Sequence, residues 1–139
     1  MSEAGCTEVS LGFESGSENI LHVMNKRFGP KEIRQASRLL AEHDIRQMGF
    51  LLLGGPGETK ETVEESLSFV DSLSLNALKI TIGICIYPYT GLASIALREG
   101  LISPDDNLLF PKFYMAKDLE PWLRETVDAW VAERPNWIY

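Results

Sequence analysis

The segment Gly54-Gly55-Pro56-Gly57-Glu58-Thr59 is the first candidate for chemistry, because its glycines and its place before a predicted helix are typical of loops that bind phosphate. A phosphate loop of the common kind ends in Gly-Lys-Ser/Thr, and this segment has no lysine to contact phosphates. A nucleotide-binding α/β domain with phosphate contacts at Gly54 to Thr59 is therefore kept only as an alternative.

Cys6 and Cys85 are the candidate metal ligands. They lie far apart and belong to no C-x-x-C or C-x-x-x-C-x-x-C arrangement, so neither indicates a metal site by itself. We interpret both as buried thiols that pack as small apolar groups, and we expect no disulfide in a protein of cytosolic character. His22 and His43 fall on predicted helices among charged neighbours and are predicted to be surface residues.

Three strand-like segments would position these groups. Thr7 to Phe13 and Lys79 to Ile86 alternate between aliphatic and small or polar residues, whereas Arg46 to Leu53 is apolar on both faces. Helical patterns follow each strand, and this alternation predicts an α/β fold with a parallel sheet and right-handed crossovers. The predicted helices are Ser17 to Asn25, one opened by Gly29-Pro30, one capped by Thr59, and Leu92 to Glu99.

One face of the first and third strands is lined by small or polar residues: Ser10, Gly12, Glu14, Thr81, Gly83 and Cys85. A packed barrel interior favours bulky side chains, so this face indicates a cavity with room for a ligand. A solvated sheet surface is the alternative. The site is expected at the carboxyl ends of the strands, where parallel sheets and barrels build their sites. The glutamates near the third helix (Glu58, Glu61, Glu64 and Glu65) are interpreted as a solvated acidic face.

Residues 101–139 differ in character, since four prolines interrupt them and they contain all three tryptophans. They are predicted to form an appended tail with one helix, Leu119 to Ala132, which lays Leu123, Val127 and Trp130 on the sheet or on a partner. We therefore divide the chain into residues 1–100 and a tail of residues 101–139.

The composition and charge of the chain limit the kinds of partner that it can be expected to bind. The chain has 139 residues, 45% of them hydrophobic, and a net charge of −7, which gives no attraction to nucleic acid or anionic membranes. No apolar run reaches the roughly 18 residues that span a bilayer, and the first residues lack the features of a secretory signal. Small molecules or proteins are the expected partners, and the cytoplasm is the expected location.

Four segments, in matching order and spacing, resemble the second half of radical S-adenosylmethionine (SAM) proteins. The likeness covers residues 5–100 and is closest to the broad set that contains cobalamin-binding-domain members and tRNA-modifying relatives. The segments are Gly5-Cys6-Thr7-Glu8-Val9-Ser10-Leu11-Gly12-Phe13-Glu14-Ser15-Gly16-Ser17, Met24-Asn25-Lys26, Phe50-Leu51-Leu52-Leu53-Gly54-Gly55-Pro56-Gly57-Glu58-Thr59 and Tyr87-Pro88-Tyr89-Thr90-Gly91.

The resemblance implies a partial TIM-type barrel, (β/α)6, of which this chain supplies the last three parallel βα units followed by a helical tail. In the family, the loop after the first strand carries the C-x-x-x-C-x-x-C triad for a [4Fe–4S] cluster, and this sequence contains no such triad. Two cysteines cannot supply three thiolate ligands. The resemblance thus places the cluster in the parent protein only, and implies no metal ligand and no catalytic residue on this chain.

By similarity, this chain would bind the nucleoside end of SAM. Glu14 and Ser15 would contact the ribose hydroxyls or the methionine portion, since a carboxylate is a natural acceptor for a vicinal diol. Lys26 falls where relatives place a basic residue for the methionine carboxylate, although a lysine on a helix surface is an equally good interpretation. Leu52 would pack on adenine, Gly54 would allow close approach, and Tyr87 would flank adenine through the main chain.

Two functions remain in competition. The first is a fragment of a radical SAM enzyme that abstracts hydrogen atoms, inactive as this chain alone. The alternative is a non-catalytic half barrel that serves as a binding or self-association module. Because three parallel strands leave unpaired edges, the expected partner is the missing N-terminal half of the barrel or a second copy of the chain.

Overall fold

The computed structural model describes residues 1–134 and 137–138. After a short 3₁₀ turn at Ser2–Ala4, the elements in chain order are β1 (Glu8–Glu14), α1 (Glu18–Val23), α2 (Pro30–Glu42), β2 (Arg46–Leu53), α3 (Lys60–Asp71), β3 (Ala77–Ile82), β4 (Ile84–Cys85), α4 (Gly91–Arg98), β5 (Phe113–Tyr114), α5 (Glu120–Ala132) and β6 (Trp137–Ile138). The chain is therefore of the α/β class, as its sequence predicts.

The main sheet has the order β1-β2-β3-β6, and each neighbouring pair is parallel. The expected helix starts are present. Pro30 occupies the start of α2, where the Glu32 carboxylate accepts a hydrogen bond from the Gly29 amide (2.9 Å). The Thr59 hydroxyl caps α3 by accepting a hydrogen bond from the Thr62 amide (3.4 Å).

The third predicted strand is broken, which corrects the prediction of one strand from Lys79 to Ile86. The strand ends at Ile82, because Gly83 adopts a left-handed conformation (φ +80°) and its amide donates to the Leu53 carbonyl (2.8 Å). Beyond it, β4 pairs antiparallel with β5 in a separate two-stranded ribbon. The alternation of the isoleucines shows only to which side of the chain each side chain points. It continues across a glycine at which the backbone turns, so the sequence pattern does not reveal the break in the strand.

The tail is also more than the single predicted helix. α5 is confirmed, but residues 101–139 additionally supply β5 and β6, and β6 pairs with β3 at Leu78 and Lys79. Strands of two residues are too short to leave a periodic pattern in the sequence. Pro135 lies outside the described residues.

The hydrophobic core lies on one face of the sheet, between the strands and helices α3 and α5. Its fully buried members come from all of these elements: Phe13, Leu51, Leu53, Leu78, Ile80, Val63, Val70, Leu123 and Val127. Each such side chain contributes roughly 1.5–3 kcal/mol through its burial. α5 therefore packs on the sheet as its apolar stripe predicts. Within the described residues, no helix has the length and apolarity needed to cross a bilayer.

The opposite face of the sheet is not buried. We call it the open face, and it carries Ser10, Gly12, Met48, Phe50, Leu52, Lys79 and Thr81, each exposed or half-buried. The open face ends at the carboxyl edge of the strands, where the polar residues of the candidate site lie.

Candidate functional site

β1 ends in a strained turn at Glu14. Glu14 has φ +68°, and the Ser15 amide donates to the Phe13 carbonyl (2.8 Å), which forms a three-residue γ-turn centred on Glu14. The left-handed region costs a residue with a β-carbon about 1–2 kcal/mol. Pairing with β2 also shifts register between Leu11 and Glu14. Strain of this kind at a strand end is typical of functional sites.

The Glu14 carboxylate contacts Lys26. The distance between Lys26 Nζ and Glu14 Oε2 is 2.6 Å, and the two side chains are 26% and 28% exposed. Lys26 lies beyond the end of α1, in a turn where its amide donates to the Leu21 carbonyl (2.9 Å). Two of the six predicted site residues, separated by twelve positions, are thus in direct contact and still accessible to a ligand.

Ser15 has a different environment. It is fully buried, and its hydroxyl lies 3.1 Å from the hydroxyl of Ser66 on α3. The same Ser15 oxygen accepts a hydrogen bond from the Ser17 amide (3.1 Å), and the Gly16 amide donates to Ser66 Oγ (3.1 Å). The Ser15 hydroxyl therefore bonds inside the protein and fixes the turn that follows Glu14.

Gly54 begins a tightly held loop after β2. Its φ is +91°, and a β-carbon at this position would lie 2.6 Å from the Met115 sulfur. The Gly54 carbonyl accepts a hydrogen bond from the Ala116 amide (2.8 Å). The amides of Gly54 and Gly55 both donate to one carboxylate oxygen of Glu58, the second at 2.9 Å. Glycine is favoured at position 54, because a φ of +91° strains any residue with a β-carbon and because such an atom would displace the end of the Met115 side chain.

Glu58 is a residue whose role the sequence analysis missed. It was assigned to a solvated acidic face, but it is only 6% exposed, and burial raises its pKa from 4.5 to about 7 despite hydrogen bonds from Gly55 and Gly54. Its Oε1 atom is buried without a partner among the described residues. The signal available in the sequence was its position three residues after Gly55, from which a carboxylate reaches back to loop amides.

The last two predicted site residues, Leu52 and Tyr87, lie near the carboxyl edge of the strands. Leu52 is half-buried on the open face, opposite Thr81 in the register of β2 and β3. Tyr87 follows β4 and is 64% exposed. Its carbonyl accepts a hydrogen bond from the Thr90 hydroxyl (2.7 Å), and that hydroxyl caps α4 by accepting from the Ala93 amide (3.1 Å).

The loops after the three main strands meet at one edge of the sheet. A β-carbon at position 55 would lie 2.9 Å from Ile84 Cδ1 and 3.6 Å from Met24 Cε, so the segment before Lys26, the loop after β2 and the ribbon after β3 are in contact. The motifs that lie far apart in sequence are therefore brought together at the carboxyl edge, where parallel sheets place their sites.

The described residues contain no group of three His, Cys, Asp or Glu side chains placed to hold a metal ion. Cys6 and Cys85 are free thiols and are half-buried, so the expectation that they are buried core residues is wrong. Cys6 precedes β1 and Cys85 lies in the two-residue strand β4 of the separate ribbon, and both side chains are partly exposed there. His22 and His43 are exposed, as predicted.

The family pattern of the radical SAM superfamily matches residues 1–70, half of the chain. The chain belongs to the radical SAM superfamily. An uncharacterized methyltransferase of Pyrococcus horikoshii is 31% identical over 102 residues, which are 73% of this chain and 22% of that protein. The anaerobic magnesium-protoporphyrin IX monomethyl ester cyclase of Cereibacter sphaeroides is 41% identical over 64 residues, 46% of this chain and 10% of that protein.

A solved radical SAM structure shares the fold. The radical SAM methyltransferase TsrM from Kitasatospora setae, with tryptophan substrate and a SAM analogue bound, superposes with a TM-score of 0.76 at 20% identity. The match covers 96% of this chain and 33% of the TsrM chain. This radical SAM chain therefore spans between a tenth and about a third of the length of these relatives. The membership inferred from four sequence motifs is confirmed.

Proposed function

We propose that this chain is the C-terminal half of a radical SAM barrel and supplies the ribose and adenine side of a SAM site in a larger enzyme. The observation that carries this proposal is the strained Glu14 turn, whose carboxylate lies 2.6 Å from Lys26 Nζ at the sheet edge where the glycine loop at Gly54 also begins. Backbone strain at a partly exposed carboxylate, at the carboxyl end of a strand, is typical of a binding site.

The residues present fit the nucleoside and amino-acid parts of SAM. The Glu14 carboxylate is an acceptor for two adjacent ribose hydroxyls, and Lys26 is placed to move from Glu14 to a ligand carboxylate. Leu52 offers an apolar surface for adenine, and the main chain at Tyr87 flanks the base. Gly54 shapes the loop after β2, since its amide and carbonyl bond within the protein and Met115 lies against it. In this arrangement Ser15 shapes the turn instead of touching the ligand. When bound, SAM supplies the reactive adenosyl group for the parent enzyme.

A [4Fe–4S] cluster does not fit the described residues. Cys6 and Cys85 are half-buried and belong to no group of metal-binding side chains, so three thiolates cannot be assembled from them. The cluster is therefore proposed to sit on another part of the parent protein. This chain by itself contributes binding contacts and no catalytic residue.

The free edge of β1 supports the partial-barrel proposal. Among the described residues, β1 pairs with β2 on one side and has no partner strand on the other. A cavity of 310 Å³ lies between that free edge and α2, lined by apolar residues that include Leu11, Phe13, Phe28 and Ile33. A parallel strand from the missing N-terminal half would fill this edge and cover the open face. We keep residues 1–100 as the barrel half, residues 101–139 as its appended segment, and the cytoplasm as its location.

Calorimetric titration with S-adenosylhomocysteine tests the proposed site, with ATP as the control ligand. We expect saturable binding of S-adenosylhomocysteine, loss of that binding in Glu14→Ala, and no binding of ATP. Glu14→Ala with unchanged affinity would refute the assignment of Glu14. Binding of ATP alone would favour a nucleotide site at Gly54 to Thr59.

The second candidate function is a self-associating half barrel. The free β1 edge and the half-buried apolar residues Met48, Phe50 and Leu52 of the open face favour it. Light scattering over a range of concentrations distinguishes the two functions. A species of twice 15.6 kDa that forms without cofactor supports self-association, and a monomer that binds the cofactor analogue supports the enzyme fragment.

A further inference from the structure

We propose that Ser66 is a positioning residue that holds the Glu14 turn in its strained conformation, and thereby sets the geometry of the SAM site. The part of this inference that concerns SAM rests on the proposed function. The part that concerns the turn does not, and it is tested separately. Ser66 belongs to none of the four motifs and lies on α3, 52 positions after Glu14 in the sequence.

The Glu14 turn needs an external restraint. A residue with a β-carbon does not remain at φ +68° unless the surrounding structure holds it there, because relaxed conformations of lower energy are available. The ion pair with Lys26 joins the ends of two side chains, one of them the flexible stem of a lysine, so it does not by itself fix the backbone angle φ of Glu14. The restraint must come mainly from the residues that follow Glu14.

Ser66 provides that restraint from a fully buried position. Its hydroxyl accepts a hydrogen bond from the Gly16 amide and shares another with the Ser15 hydroxyl, both at 3.1 Å. The Ser15 hydroxyl in turn accepts from the Ser17 amide. One hydroxyl on α3 thus fixes two consecutive residues after Glu14 directly, and a third through Ser15.

Gly16 makes this contact possible. A β-carbon at position 16 would lie 2.4 Å from Phe69 Cβ, so the chain passes against α3 more closely than any residue with a side chain allows. This close approach brings the Gly16 amide within reach of Ser66. Removing the Ser66 hydroxyl would leave the Gly16 amide buried without its acceptor, and the Ser15 hydroxyl would keep the Ser17 amide as its remaining partner. The turn would then relax toward an unstrained φ and carry the Glu14 carboxylate away from Lys26.

A folding comparison tests the restraint without any ligand. Glu14→Ala and Glu14→Gly both remove the carboxylate, but only alanine keeps the left-handed strain. In the otherwise unchanged chain we expect the folding equilibrium constant of Glu14→Gly to exceed that of Glu14→Ala by about fivefold to thirtyfold. In a Ser66→Ala background this ratio should fall toward one. Ser68→Ala, an exposed serine on the same helix, is the matched control and should leave the ratio unchanged.

The restraint is refuted if the Gly-to-Ala ratio is the same with and without the Ser66 hydroxyl. Should Ser66→Ala not fold, Ser66→Cys takes its place, since it keeps a side chain of similar size with only a weak acceptor. The same decrease in the ratio is then expected, and an unchanged ratio again overturns the proposal.

The binding arm uses S-adenosylhomocysteine at a temperature where each variant is fully folded, so a purely structural loss of stability does not change the measured affinity. We expect Ser66→Ala to raise Kd by about tenfold or more and Ser68→Ala to leave it unchanged. An unchanged Kd in Ser66→Ala, combined with a decreased folding ratio, overturns the effect on the site while leaving the restraint intact. If the unmutated chain does not bind the analogue, the proposed function fails for this chain, and the folding ratio still decides the role of Ser66.

Discussion

Stability should depend on pH through Glu58. Burial raises its pKa from 4.5 to about 7, so the folded chain favours the protonated carboxyl group. Between about pH 4.5 and 7 the folded state retains a proton that the unfolded chain has already lost, and the free energy of unfolding must fall as the pH rises through this window. At about 1.4 kcal/mol per pH unit, the full decrease is roughly 3 kcal/mol, complete above about pH 7.

The Glu58→Gln variant isolates this effect because its amide oxygen can accept from the Gly54 and Gly55 amides but carries no charge at any pH. We expect urea unfolding, followed by tryptophan fluorescence, to show a variant more stable than the wild type by roughly 3 kcal/mol near pH 8, with the difference shrinking below about pH 5. Glu64→Gln makes the same charge change at an exposed position of α3 and serves as the control. Parallel stability curves for wild type and Glu58→Gln would show that Glu58 titrates normally and that the reasoning is wrong.

Three further predictions follow from the geometry. Gly54→Ala should lower the free energy of unfolding by about 1–2 kcal/mol, because a residue with a β-carbon is strained at φ +91° and the end of the Met115 side chain would have to shift. Gly12→Ala, with open space around it, should cost less than about 1 kcal/mol. Equal losses in urea unfolding would contradict this. Lys26→Met should weaken binding of S-adenosylhomocysteine by about tenfold while changing the free energy of unfolding by about 1 kcal/mol or less. Arg27→Met, at the exposed neighbouring position, is the control, and similar calorimetric affinities for the two variants would count against a role for Lys26 in binding. Leu123→Ala should destabilise the fold by about 2–5 kcal/mol because the Leu123 side chain is fully buried. Leu109→Ala should have little effect because Leu109 is 78% exposed. A thermal melt in which Leu123→Ala matches the wild type would mean that α5 is not part of the core.

Most of the architecture was predictable because the hydrophobic periodicity of a long segment shows both its type of secondary structure and which of its faces is buried. The strand Arg46 to Leu53 has its predicted bounds in the structure, and the third helix begins after Thr59, as predicted. The break at Gly83 was not predictable from the isoleucine pattern, since side-chain alternation does not record backbone direction. The strand β6 was missed because two residues carry no period.

The site was predictable to the extent that local motifs define it. The resemblance predicts that Glu14 and Lys26 contact different parts of one ligand, and their direct ion pair in the structure was not predicted. The burial of Glu58 and the hydroxyl of Ser66 depend on contacts between distant segments. In the sequence, a solvated glutamate near a helix start looks the same as a glutamate whose carboxylate folds back to accept from loop amides. Only the three-dimensional structure distinguishes the two cases.

The pairing of β6 with β3 has a consequence for symmetry. β6 is two residues long and pairs with β3 at Leu78 and Lys79, so among the described residues β1 is the long strand of the main sheet whose whole outer edge stays free. Two identical chains joined along β1 by a two-fold axis must place those strands antiparallel. Their two carboxyl edges would then point in opposite directions, and neither copy could complete the other's Glu14 site. A shared site requires a strand that runs parallel to β1, which only a non-identical segment or an asymmetric arrangement can provide.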